Sequence, residues 1–286
     1  MHLVPSQAEP DPDFPTVAFP NPEEPGATDE LLRFAASVRA DLAVALDPDA
    51  DRCALGVPDP EAPGGWRLLS GNETGVLLGD HVLATMDDTA RAAAPDGPLV
   101  ASTLASSSQL RGVAAARGAR FAETATGFKW IVRAGPGFVY GYEEALGYCV
   151  DPDTVRDKDG IAAAVLAADL AATRRAAGSS LPAALDELAV AHGLHLTDAV
   201  TVRMDPARRA ETVRRLAERL GDEGGATVLR RERARAVIRP SGTEPKLKAY
   251  LEVVEPVADP GSLDGARARA TRRLAALRAE VTALIT

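Results

Sequence analysis

From Thr28 the apolar residues recur at helical spacing (Leu31, Leu32, Ala35, Val38), run together from Leu42 to Leu46, break at the acidic stretch Asp47 to Asp51 and resume from Cys53 to Val57. That pattern predicts helix, strand, loop, strand. Pro58 to Gly65, rich in proline and glycine, marks a turn or a hinge. Farther on, Leu99 to Leu104, Arg120 to Glu123 and Phe138 to Tyr140 read as strands. Helices are predicted near Thr74 to Met86, Ser108 to Arg117, Phe128 to Arg133 and Gly160 to Ala177, the last stopped by Gly178. Such alternation implies an α/β layer around a largely parallel sheet. Ser180 caps a further helix through Leu188, which ends before Gly193.

After Leu194 the order changes to strand (Ala199 to Arg203), helix (Pro206 to Leu220, ended by Gly221), strand (Ala234 to Ile238), loop, strand (Leu247 to Val254) and helix (Leu263 to Ile285). Leu247, Ala249, Leu251 and Val253 alternate with Lys248, Tyr250 and Glu252, so this strand buries one face and leaves the other polar. An antiparallel α+β unit is the natural reading. Residues 1 to 25 hold seven prolines among several acids, a composition that resists helix and central strand and by itself describes a disordered leader.

Composition narrows the chemistry. The chain has 286 residues, of which 46% are hydrophobic, enough for two or three units with real cores. A net charge of -9 repels nucleic-acid phosphates and anionic lipid heads, so neither is an expected partner. Two cysteines, Cys53 and Cys149, give no disulfide framework, and no apolar run is long enough to span a membrane. A soluble protein of a reducing cytoplasm is expected. Only four of the 32 basic residues are lysines (Lys129, Lys158, Lys246, Lys248). A flexible point charge has been kept at a few places where the rigid arginine fork does not substitute.

Three loops carry the candidate chemistry. In Asp47-Pro48-Asp49-Ala50-Asp51-Arg52 the acids recur at every second residue, which in extended backbone puts them on one side. Close carboxylates repel unless a cation neutralises them, and a site of a few carboxylates suits Mg²⁺. A calcium EF-hand needs glycine at loop position 6 and glutamate at position 12, where this chain has Arg52 and Pro58; a solvated acidic loop is the plainer alternative. In Arg239-Pro240-Ser241-Gly242-Thr243-Glu244-Pro245-Lys246 a strand ends in a guanidinium, two hydroxyls, a glycine amide and an ammonium, the donors of a phosphate cradle. A charged hairpin turn is the alternative. In Gly141-Tyr142-Glu143-Glu144-Ala145-Leu146-Gly147-Tyr148 two acids just beyond a strand can accept hydrogen bonds from sugar hydroxyls. Lys129 and Lys158 each lie near a helix start, where exposed N–H groups favour anions, or are salt-bridged surface lysines.

Together, and in this order, the loops resemble those of the α-D-phosphohexomutase superfamily, which includes phosphoglucomutases, phosphomannomutases and phosphopentomutases. Asp47 to Arg52 is similar to the D-G-D-x-D-R metal loop, and Arg239 to Lys246 to the R-P-S-G-T-E-P phosphate loop. Glu143 and Glu144 fall in the sugar-recognition loop. With Ala145 in place of serine, that loop is more similar to the phosphopentomutase-like branch. The resemblance extends to Pro15 to Pro25, which it places against a domain rather than in a free leader.

The resemblance implies a fold and a division of labour. Residues 1–70 correspond to part of domain 2 with the metal loop, 71–192 to a three-layer α/β/α domain 3 with the sugar loop, and 193–286 to an α+β phosphate-binding domain with a mainly antiparallel sheet. Asp47, Asp49 and Asp51 would hold Mg²⁺ with Arg52 beside it, and Glu143 and Glu144 would bind the sugar. Lys129 and Lys158 would position the substrate. Arg239, Ser241, Gly242, Thr243 and Lys246 would grip phosphate. The family's T-A-S-H-N-P type serine loop has no counterpart in these residues; Ser106 to Ser108 resemble a domain 3 strand end instead. The implied activity is phosphosugar mutase chemistry through a phosphoserine, inactive in this chain alone, with a separate chain as a possible source of the serine domain. A non-catalytic phosphosugar-binding protein is the alternative.

Overall fold

The computed structural model describes every residue except 93, 95 and 242 to 244. Its first sheet is antiparallel, ordered β1 (Ala43–Leu46), β2 (Cys53–Pro58), β3 (Trp66–Leu68), and α1 (Asp29–Val38) lies against it. Ala35 of α1 packs with Leu31 and Leu32 on Ala43 and Trp66. Pro58 pairs with Trp66, so Pro58 to Gly65 connects two strands of one sheet and is a turn, not a hinge. Residues 1 to 25 are not a detached leader. They contain one 3-10 turn (Pro5–Gln7) and no helix or strand, yet Val4 and Pro22 are buried and Asn21 Oδ1 accepts a hydrogen bond from Arg52 Nη1 at 3.2 Å. Proline denies this segment regular structure without preventing its rings from packing.

The middle of the chain contains α2 (Gly71–Thr85), α3 (Asp88–Ala92), β4 (Leu99–Thr103), α4 (Gln109–Ala116), β5 (Arg120–Thr124), α5 (Phe128–Ile131), β6 (Phe138–Glu143), β7 (Gly147–Cys149), α6 (Gly160–Ala176) and α7 (Leu181–His192). The sheet runs β5-β4-β6-β7, parallel except for β7. One face, with Val100, Tyr140 and Tyr142, packs on α2, α4, α6 and α7; the other, with Ala101 and Cys149, packs on Phe128 and Ile131 of α5. Three layers result. Ser70 and Glu73 form a capping box that starts α2. Gly75 and Gly79 weaken the helix locally but let it lie flat on the tyrosines, because a Cβ at Gly75 would sit 2.3 Å from the Tyr142 ring.

The last part has β8 (Leu194–Arg203), α8 (Pro206–Leu220), β9 (Thr227–Arg231), β10 (Ala234–Pro240), β11 (Lys246–Glu255) and α9 (Leu263–Ile285). Its sheet, β8-β11-β10-β9, is antiparallel throughout. Ala249, Leu251 and Val253 pack on Leu274, Leu277 and Val281 of α9. The opposite face is not simply polar and solvated: Glu252 is 4% exposed, and Val237 packs with Leu104 beyond β4. The middle unit covers that face, which the alternation along β11 alone does not show. Among the described residues no helix is long and apolar enough to cross a membrane.

Candidate functional site

The acidic loop joins β1 to β2. Carboxylate oxygens of Asp47, Asp49 and Asp51 lie within 4.8 Å of one another. Asp47 is buried and held by Arg52, whose backbone N–H donates to Oδ1 at 3.0 Å and whose Nε donates to Oδ2 at 2.6 Å. Burial opposes the charge on Asp47, but these hydrogen bonds prevail and its pKa is lowered. Asp49 moves the other way, raised by the hydrogen bond and charge of Asp47 and then by the charge of Asp51. Such unrelieved like charge is what a bound cation would remove. Ala50 adopts the left-handed region (φ 58°), and its carbonyl accepts the Gly160 N–H at 3.0 Å. A Cβ at Gly160 would come within 2.6 Å of the Arg52 carbonyl oxygen, so the start of α6 touches the loop directly.

Glu143 ends β6, the loop from Glu144 to Leu146 joins it to β7, and an isolated bridge pairs Arg52 with Gly147. Lys158 Nζ is 3.0 Å from Asp51 Oδ2 and 3.9 Å from Glu143 Oε1, which ties the acidic loop to this one. Burial first, then the neighbouring Glu144 charge, pushes the Glu143 carboxyl up to about 7 against the pull of Lys158 and Arg239. Glu144 is bound differently. Its Oε2 accepts from Thr103 Oγ1 and Ser106 Oγ, both at 3.0 Å, and its N–H donates to Ser106 Oγ at 3.2 Å. Gly71, at the start of α2, lies so close to this loop that a Cβ would be 2.0 Å from the Glu144 carbonyl oxygen.

Arg239, next to last in β10, lies beside Glu144. Nη2 donates to Tyr250 Oη at 3.0 Å and is 3.9 Å from Glu144 Oε1, while the guanidinium lies over the Tyr250 ring. Its Nε is buried with no hydrogen-bond partner among the described residues, a donor that an anion would satisfy. Ser241 N–H donates to the Lys246 carbonyl at 2.9 Å, and Arg209 Nη1 reaches the Ser241 carbonyl at 3.3 Å. Gly242 and Thr243 lie outside the described residues.

Lys158 therefore joins the cluster, whereas Lys129 is exposed with its ammonium 5.2 Å from the Trp130 ring centre. Sequence reasoning missed Thr103 and Ser106, which hold Glu144, as well as Tyr250, Arg209 and Gly71. Of these only Gly71 carried a readable signal, the spacing of four that Gly71, Gly75 and Gly79 keep in α2.

Comparison with known proteins identifies the setting of these loops. Phosphoglucomutase/phosphomannomutase alpha/beta/alpha domain II matches residues 1–62, alpha/beta/alpha domain III matches 70–190, and the family's C-terminal domain matches 198–259. The chain is 37% identical over 271 residues to "Probable phosphomannomutase" of Haemophilus influenzae, covering 88% of this chain and 54% of that protein. Human phosphopentomutase is 34% identical over 313 aligned residues, covering 91% and 50%. A phosphoglucomutase/phosphomannomutase family protein from Burkholderia thailandensis shares the fold with a TM-score of 0.60 at 14% identity, over 89% of this chain and 50% of that one. This chain spans about half the length of the curated relatives named here. Three successive domains of one family, matched in order along most of the sequence, place the chain in the phosphoglucomutase/phosphomannomutase family.

Proposed function

We propose that residues 1–70, 71–192 and 193–286 supply the metal, sugar and phosphate sites of a phosphosugar mutase, an intramolecular phosphotransferase acting between the 1-position and the 5- or 6-position of a sugar. The observation that carries this reading is one run of contacts: Asp51 to Lys158, Lys158 to Glu143 in the sugar loop, and the adjacent Glu144 to Arg239. It brings an oxygen-rich cation site, hydroxyl acceptors and an anion site side by side, the set a phosphorylated sugar requires.

Each side chain has a derived task. Asp47, Asp49 and Asp51 offer only hard oxygens, which fits Mg²⁺, with Arg52 fixing Asp47. Mg²⁺ bound there would neutralise phosphoryl oxygens. Glu143 accepts from sugar hydroxyls and Lys158 orients it, while Glu144 is a fixed acceptor held by Thr103 and Ser106. Arg239 grips phosphate with the help of Ser241, Gly242, Thr243 and Lys246. The phosphoryl carrier would come from outside these 286 residues, on a longer or a separate chain. Buried, unpaired Cys53 and Cys149 suit a reducing cytoplasm; nucleic acid and membrane have no part in this reading.

Turnover is the test. The chain alone should not interconvert glucose 1-phosphate, mannose 1-phosphate or ribose 1-phosphate, and a polypeptide bearing the family's serine domain should restore activity when added. Turnover by the purified chain alone would contradict the reading. Sugar-phosphate binding that never becomes turnover with the added domain would favour a non-catalytic binding protein.

A further inference from the structure

One buried carboxylate has no task in this scheme. Glu252 is 4% exposed on β11, on the face turned toward the middle unit. Its Oε1 accepts from Ser107 Oγ at 2.7 Å and the Ser108 N–H at 2.8 Å, with His195 Nδ1 2.9 Å away, and its Oε2 accepts from Arg235 Nε at 2.8 Å. Arg235 stands directly opposite on β10 and uses its other two nitrogens across the boundary: Nη1 donates to Glu123 Oε1 and Nη2 to the Ser106 carbonyl, both at 2.7 Å. A buried carboxylate persists only when it is so paired.

Ser106 continues the path. Its hydroxyl donates to Glu144 Oε2 and accepts the Glu144 N–H. At the other end, Arg235 and Arg239 are four residues apart on one strand, hence on the same face and about 13 Å apart. Direct hydrogen bonds thus link the strand that carries Arg239, through Arg235 to the Ser106 carbonyl and from the Ser106 hydroxyl on, to the Glu144 carboxylate.

We propose that Arg235 and Glu252 are positioning residues that set the spacing between the Glu144 carboxylate of the sugar loop and the Arg239 guanidinium of the phosphate loop. The claim rests on the mutase reading only for the ligand that bridges the two loops. A ligand touching Arg239 alone is indifferent to that spacing, whereas a sugar phosphate touching both is not. Neither Arg235 nor Glu252 is proposed to touch the ligand.

The test is NMR on the full chain with two variants. Arg235→Lys keeps a cation opposite Glu252 but cannot reach Glu123 and the Ser106 carbonyl together; Glu252→Gln keeps the volume and removes the charge. Without ligand, the Ser106 and Glu144 amide signals should shift in both. With ligand, the preference for glucose 1-phosphate over inorganic phosphate should fall roughly tenfold or more, while inorganic phosphate affinity stays within about twofold. Either variant suffices if the other fails to fold. A folded variant with unmoved Glu144 and Ser106 signals and an unchanged preference overturns the proposal and leaves Arg235 and Glu252 as interface packing. Should the parent show no preference for the sugar phosphate, the mutase reading falls, and the ligand-free amide signals still decide the positioning claim.

Discussion

The acidic loop and the loop that follows Arg239 are both short motifs, but distant chain contributes more to holding the first than the second. Asp47 to Arg52 combines the local clamp of Arg52 on Asp47 with several contacts from distant chain: Asn21 on Arg52, the bridge to Gly147, Lys158 on Asp51 and the Gly160 N–H on Ala50. Arg239 is placed by its own hairpin, through the ladder to Lys248, the Tyr250 hydroxyl and the Ser241 to Lys246 backbone bond. Their charge also differs, since the acids oppose one another while Arg239 lies near an aromatic ring and a carboxylate. The difference teaches that the position of Arg239 depends mainly on strand register, whereas the acidic triad depends more on the tertiary fold, with like charge that a cation would relieve.

The largest expected effect is at the boundary between the middle unit and the sheet that carries Arg239. Burial opposes the charge on Glu252, yet hydrogen bonds from His195 and Ser107 with the Arg235 charge hold its carboxyl at about 2, below the ordinary 4.5. A folded pKa below the unfolded one means stability that is present above about pH 4.5 and lost as pH falls toward 2, on the order of 3 kcal/mol. Urea unfolding at pH 6 and pH 3 should show the parent losing more stability than Glu252→Gln. Next, Gly160→Ala drives a methyl into the Ala50 and Arg52 carbonyls and should cost about 1–3 kcal/mol. Amide signals of Asp47 and of residues 49 to 52 should move while Arg239 and Ser241 stay put; equal movement in both loops would erase the contrast. The smallest effect is at Asp49. Without metal, Asp49→Asn relieves repulsion from Asp47 and Asp51 and should raise Tm slightly, while in a Mg²⁺ titration the same change should weaken binding. A lower Tm without metal would mean the acids are not strained against one another.

Much of the fold is legible in the sequence where local signals agree. Helix α8 begins and ends as expected because Asp205 caps it and Gly221 stops it, and the alternation in β11 marks its buried side correctly. Strands β3 and β7 have three residues each, too few to show a period, and β7 lies inside a stretch read only for its chemistry. Glu252 defeats the same alternation that succeeds elsewhere in its strand, because its partners Ser107 and Ser108 come from 145 and 144 residues away. Likewise the acidic and phosphate motifs announce themselves by residue type, but nothing local says that Thr103 and Ser106 hold Glu144, or that Lys158 rather than Lys129 joins the cluster.

The most direct measurement is an NMR titration of the full chain with glucose 1-phosphate, inorganic phosphate and glucose. Glucose 1-phosphate should shift the amide signals of Glu143 and Glu144 together with those of Arg239, Ser241 and Lys246, inorganic phosphate should shift only the second group, and glucose should shift neither at millimolar concentration. Arg239→Ala removes a charge-assisted contact worth roughly 1.5–3 kcal/mol and should weaken both phosphate ligands about ten- to a hundredfold. Unchanged phosphate affinity in folded Arg239→Ala, or a sugar phosphate that leaves Glu143 and Glu144 unmoved, would contradict a shared sugar and phosphate site.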